Sequence, residues 1–206
     1  MILESVPVGA YHANCYILAR QAGSGAIIID PGDEEDKIRK MLNKHKLKPA
    51  FIVNTHGHAD HIGCDDKFGV PVYVHEKDLA LLSSPQLNMS DFLGSSYRVK
   101  SQIKTVKEGS LLESDGIQLE VIHLPGHTPG GMALLMKKPQ NKILFTGDSL
   151  FRMTIGRADF PGADQDILIR SIKEKLFELP DDTVIYPGHG PTSTIGEEKK
   201  NNPFLN

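Results

Sequence analysis

Three observations predict an α/β fold. Short apolar, β-branched runs alternate with segments of helical periodicity, and several of those runs end in a turn that carries His or Asp. No Ser/Gly-rich linker, low-complexity tract or shift in composition divides the chain. Its 206 residues are 39% hydrophobic and 24% charged, which suffices for a substantial core and excludes a disordered chain.

Residues 14–19 and 26–29 read as a strand pair turning at Gly23–Gly25. Asp33 is a candidate N-cap for a helix with Ile38, Met41, Leu42 and His45 on one face, ending before Pro49. Residues 76–82 read as helical, and 83–101, without periodicity, as a long surface loop able to close over a site. A further helix begins near Asp164, carries Leu168, Ile172, Leu176 and Leu179, and stops at Pro180. The recurring strand-then-turn units are Ile27–Ile29 before Asp30-Pro31-Gly32, Phe51–Val53 before Thr55-His56, and Leu119–Leu124 before Pro125-Gly126-His127. Ile143–Phe145 before Gly147-Asp148 and Val184–Tyr186 before Pro187-Gly188-His189 complete them. In α/β sheets the carboxyl ends of strands converge on one edge, where ligands bind.

A net charge of −3, with neither sign gathered into a block, gives no reason to expect a nucleic-acid or membrane-surface partner. No apolar run is long enough to span a bilayer, and the first twenty residues lack the pattern of a signal peptide. Two cysteines without a CxxC spacing suit a reducing compartment, so the expected localisation is cytoplasmic.

The unusual feature is nine histidines. Three of them and an aspartate fall in Thr55-His56-Gly57-His58-Ala59-Asp60-His61, directly after a strand, with small residues between that let neighbouring side chains share one cavity. Imidazole suits zinc, iron and related divalent ions, and carboxylate is a harder donor. With His127, Asp148 and His189 the donors number seven, none a thiolate, which suits a pair of ions with an oxygen between them. His12, His45, His75 and His123 read as structural histidines, and Cys64 as a small buried thiol. Two dications bring +4 and Asp60 and Asp148 return −2, leaving positive charge to stabilise a hydroxide at neutral pH. No GxSxG supports serine catalysis.

HxHxDH, a PGH turn, a GD turn and a final PGH turn together resemble the metallo-β-lactamase superfamily, and within it the short glyoxalase II-like hydrolases. The resemblance runs from Asn14-Cys15-Tyr16 and Asp30-Pro31-Gly32 to Asn202-Pro203-Phe204-Leu205. It implies an αβ/βα four-layer sandwich, two mixed β-sheets with helices on the outer faces. It also implies one metal ion held by His56, His58 and His127, a second by Asp60, His61 and His189, Asp148 bridging, and a structural role for Asp30. Zinc is the first expectation, with iron or manganese as alternatives. Asp60 and Asp148 are the expected catalytic carboxylates, and Arg157 and Phe160 the expected substrate-binding residues. Arg157 occupies the position of a basic residue that contacts glutathione in glyoxalase II enzymes.

The expected reaction is hydrolysis of S-lactoylglutathione-like small-molecule thioesters by a metal-bound hydroxide. A mononuclear iron persulfide dioxygenase is the alternative, because Arg157-Ala158-Asp159-Phe160 also resembles those enzymes, and a non-catalytic metal-bound scaffold comes third. Persulfide dioxygenases usually follow the last His with Asp-Tyr, whereas His189 is followed by Gly190-Pro191. Residues 1–206 are expected to form a single domain without the C-terminal helical domain that grips glutathione in longer glyoxalase II enzymes.

Overall fold

In a computed structural model, which describes all 206 residues from Met1 to Asn206, the alternation of apolar runs and helices builds two six-stranded mixed sheets. The first sheet takes its strands in chain order: β1 (Ile2–Val8), β2 (Ala13–Ala19) and β3 (Gly25–Ile29), then α1 (Glu35–Lys44), β4 (Lys48–Val53), α2 (Ala59–Ile62), β5 (Val72–His75), α3 (Leu79–Ser83) and β6 (Ile103–Val106). The first three strands pair antiparallel, and β3 to β6 run parallel through helical crossovers. The rest of the chain forms β7 (Leu111–Ser114), β8 (Ile117–His123), β9 (Met132–Lys138), β10 (Ile143–Gly147), a ribbon of β11 (Leu150–Phe151) and β12 (Thr154–Ile155), then α4 (Gln165–Ser171), β13 (Val184–Pro187), β14 (Ser193–Thr194) and α5 (Ile195–Asn201). The second sheet has the order β14-β13-β10-β9-β8-β7.

The strands read as unbroken apolar runs because both faces of each sheet are covered. Tyr16, Leu18, Ile27, Ile29, Phe51 and Val53 point inward, against Leu119, Val121, Leu134, Met136 and Phe145 of the second sheet. Their strand neighbours Cys15, Ile17, Ile28 and Ile52 face the other way, beneath Ile38 and Leu42 of α1. On the far side Leu135, Leu144 and Ile185 pack under Leu168, Ile172 and Leu176 of the α4 region and Ile195 of α5. Each such fully buried aliphatic side chain contributes about 1.5–3 kcal/mol. Three apolar layers separating two sheets and two sets of helices make the four-layer sandwich.

Local departures from the sequence reading have local causes. Asp33 does not cap α1. The N-cap is Glu34, in the left-handed region at φ 50°, and the Asp33 carboxylate accepts from its N–H instead. Asp164 does cap α4, accepting from the Ile167 N–H, but the helix widens into a π turn at Ile172–Leu176 and ends there. Residues 76–82 form a 3₁₀ turn leading into α3. The stretch 83–101 is a surface loop with one 3₁₀ turn at Ser90–Leu93, and it is tied down: buried Asn88 donates to the carbonyls of Leu81 and Tyr97, and its own carbonyl accepts from the Ala59 N–H. That clamp fixes the loop against the HxHxDH turn.

Candidate metal centre

The carboxyl ends of β4, β8, β10 and β13 converge on one edge of the sandwich, and the turns that follow bring His56, His58, Asp60, His61, His127, Asp148 and His189 together. Donor atoms of His56, His58 and His127 lie within 4.8 Å of one another, as do those of Asp60, His61 and His189, and those of His56, His61 and Asp148. His58 Nδ1 stands 3.0 Å from His127 Nε2, and His61 Nε2 3.3 Å from His189 Nε2. The Asp148 carboxylate lies between the two triads, with Oδ1 3.4 Å from His61 Nε2 and Oδ2 3.7 Å from His127 Nε2 and 3.5 Å from His189 Nε2. Asp60 Oδ2 is 3.4 Å from His189 Nε2.

Groups behind the cluster set which nitrogen faces inward. The His127 and His189 Nδ1 atoms bond the carbonyls of Arg157 (2.7 Å) and Tyr11 (3.0 Å), so their Nε2 lone pairs point into the cavity. Asp30 accepts the Thr55 N–H and hydroxyl and lies 3.0 Å from His61 Nδ1, while Thr55 Oγ1 meets His56 Nδ1 at 3.2 Å. Asp30 thus braces the cluster from behind. Asp78, which the sequence reading passed over, ties the HxHxDH turn to the PGH turn: its carboxylate accepts from the N–H groups of Gly57 and Gly130 and from the Thr128 hydroxyl. Asn14 and Tyr16 at the head of β2 hold the last turn through the Pro187 and Gly190 carbonyls. A Cβ at Gly188 would collide with the Asp148 carboxylate and crowd His61, so only glycine lets that turn close on the cluster.

The donor set fits a bound divalent metal. His56 Nε2 and Asp148 Oδ1 are buried in the cluster without any hydrogen-bond partner, an arrangement that costs free energy unless a cation sits among them. Burial holds His56 below its ordinary pKa and brings His58 down to about 3, which keeps both imidazoles neutral. Burial opposes charge on Asp148 too, but His61 beside it outweighs that and keeps the carboxylate ionised.

The remaining sequence expectations sort clearly. His45 bonds Glu4, and His75 stacks on His123 at 4.0 Å, so neither they nor His12 join the cluster. Cys64 is buried, and burial pushes its thiol up to about 11, which leaves it unreactive at neutral pH. Arg157 forms a two-point pair with Asp159 at 2.9 and 2.7 Å and lies over the Phe160 ring. Phe160 stands edge-on to His58 and His127 at 5.3 and 5.9 Å, walling a cavity of about 460 Å³ whose floor is the cluster.

The fold and this cluster define a metallo-hydrolase of the metallo-beta-lactamase superfamily, and residues 8–189 match that family directly; the chain belongs to it. It is 39% identical to the hydroxyacylglutathione hydrolase GloC of Haemophilus influenzae over all of this chain and 99% of that protein. Its fold is similar to that of the BLEG-1 B3 metallo-beta-lactamase (TM-score 0.90, 36% identity, 99% of each chain). It is also similar to TTHA1623, solved in a di-iron-bound form (TM-score 0.85, 37% identity, 98% of this chain and 100% of that one). No helix is long and apolar enough to cross a membrane.

Proposed function

We propose that residues 1–206 act as one dinuclear metal-dependent thioesterase of the glyoxalase II type, on S-lactoylglutathione-like substrates. The observation that carries this reading is Asp148 between two donor triads, one oxygen toward His61 and the other toward His127 and His189. His56, His58 and His127 would hold one ion, Asp60, His61 and His189 the other, and Asp148 both. Divalent ions bound there lower the pKa of water and polarise a carbonyl oxygen, which supplies nucleophile and Lewis acid at neutral pH. The likeness to GloC supports a thioester as substrate, and the di-iron form of TTHA1623 supports two ions, with zinc, iron or manganese each compatible with an all-His/Asp donor set.

The chain's own groups have separable roles. Asp60, half-buried on the cavity floor, is placed to take the proton of the attacking water. Asp148 offsets part of the cationic charge without reaching the cavity mouth. The carbonyls of Arg157 and Tyr11 keep His127 and His189 in one tautomer through the cycle. Phe160 shields one side of the floor from bulk water.

The test is hydrolysis of S-lactoylglutathione by metal-loaded protein, with thiol release measured both in air and under anaerobiosis and oxygen uptake followed in the aerated sample. The expected result is stoichiometric thiol without oxygen. Rapid oxygen uptake with glutathione persulfide and no thioester cleavage would instead establish the iron dioxygenase.

A further inference from the structure

The cavity above the cluster is walled by carbon. Met89, Phe92, Leu93, Phe151, Ile155 and Phe160 surround a floor of His and Asp, and Phe92 is 78% exposed at the mouth. Exposed apolar rims around a concave site mark places where a ligand covers them. Their position is not accidental to the loop. Asn88 clamps the segment to Leu81, Tyr97 and the Ala59 N–H, and the Ser90 hydroxyl accepts the Tyr97 N–H, so Met89, Phe92 and Leu93 are held over the metal cluster.

Charge is as informative as carbon. The only cation in the wall is Arg157, and its guanidinium is already taken by both oxygens of Asp159. A neighbouring cavity, which shares Tyr11, Ala59, Asp60, Phe92 and Leu93 with the first, runs along Val8–Tyr11, Gly32 and Ser95–Tyr97, where the charged side chain besides the metal-facing Asp60 is Asp33. Away from the centre itself, a leaving group bearing two carboxylates, as glutathione does, meets the Asp33 carboxylate on one side and a satisfied arginine on the other.

We infer that this cavity selects a thioester with an apolar acyl chain, seated between Phe92 and Phe160, and an uncharged leaving half. This rests on the thioesterase reading but departs from it in the substrate, placing apolar acyl thioesters of uncharged thiols ahead of S-lactoylglutathione. Each methylene transferred from water into such walls is worth about fourfold in affinity when fully buried, and about twofold when half covered.

The experiment uses zinc-loaded full-length protein and S-acetyl-, S-butyryl- and S-hexanoyl-N-acetylcysteamine, with S-hexanoylglutathione for comparison. The kcat/KM is expected to rise at least tenfold from acetyl to hexanoyl. Phe92→Ala, which removes an exposed side chain and spares the core, is expected to cut that acetyl-to-hexanoyl ratio at least threefold. S-hexanoylglutathione should be no better than its N-acetylcysteamine counterpart. Hydrolysis that is indifferent to chain length, or a tenfold preference for the glutathione ester, overturns the inference and leaves the thioesterase reading standing. If no thioester is cleaved, that reading falls, and binding of the uncleavable S-hexyl and S-ethyl thioethers of N-acetylcysteamine, followed by NMR titration, decides the inference. Tenfold tighter binding of the hexyl compound supports it, and equal affinities overturn it.

Discussion

The two donor triads are built to different plans. His56, His58 and His127 are 1%, 7% and 4% exposed and all imidazole, whereas Asp60 and His189 present side chains that are 27% exposed around a buried His61. The first is the more deeply buried, reaches the cavity only through His58 and His127, holds no carboxylate of its own, and is braced by Asp78 beneath its two turns. The second opens to the cavity, carries a carboxylate, and is braced by Asp30 and by the main chain at Tyr11. A protein that needs one firmly held ion and one that meets solvent and substrate gains from that asymmetry. Closed sites exclude competing ligands, while open ones keep a position for the reacting group.

Asp148 is the group the halves share, so Asp148→Asn should give the largest effect. The variant keeps the shape and removes the negative charge between two cations. The expected outcome is loss of both ions from dialysed protein and a fall in thioesterase kcat of about a thousandfold, or ~4 kcal/mol. Retention of two equivalents by elemental analysis would show that the halves do not depend on it.

Asp78→Asn separates the halves. It weakens acceptors for Gly57, Thr128 and Gly130, all on the turns that carry the all-histidine triad. Loss of a group that braces metal ligands costs about 10–100-fold in metal affinity. That loss is expected at one equivalent only, read by titrating metal into the metal-free variant. A matching loss at both equivalents would make the asymmetry illusory.

The stacked pair His75 and His123 sharpens the comparison from outside the centre, as an imidazole pair without carboxylates in its bonds. Burial holds His75 down to about 4, and His123 also below its ordinary value. Unfolded, both titrate near 6.5, so between about pH 6.5 and 4 the unfolded chain binds more protons. Stability is therefore full above that window and falls as pH drops through it. His75→Gln should flatten the slope of urea-derived stability against pH. An unchanged slope would assign the acid sensitivity elsewhere.

How much of this was legible beforehand follows from what kind of information each feature is. The strand-end turns and their seven donors are local patterns, and the chain brings them together as written. The helix at α4 and its Asp164 cap follow from periodicity and a single hydrogen bond, both readable in sequence. Asp78 was not legible, because its three partners come from turns far away in the chain. A lone acid beside a helical stretch looks like any solvated one. The order of loop 83–101 was missed for the same reason. One buried amide at Asn88 makes the contacts, and composition alone gave only a long surface loop. The strand β1 and the β6–β7 region, less uniformly apolar than β2, gave too weak an alternation to be read.

The central claim is two ions in unequal halves, both needed for hydrolysis. Calorimetric titration of metal-free protein with zinc, with thioesterase activity assayed at each addition, tests it most directly. The account expects two equivalents per chain in resolved steps, with activity rising on the second. A single equivalent at saturation, or full activity after the first, would contradict it.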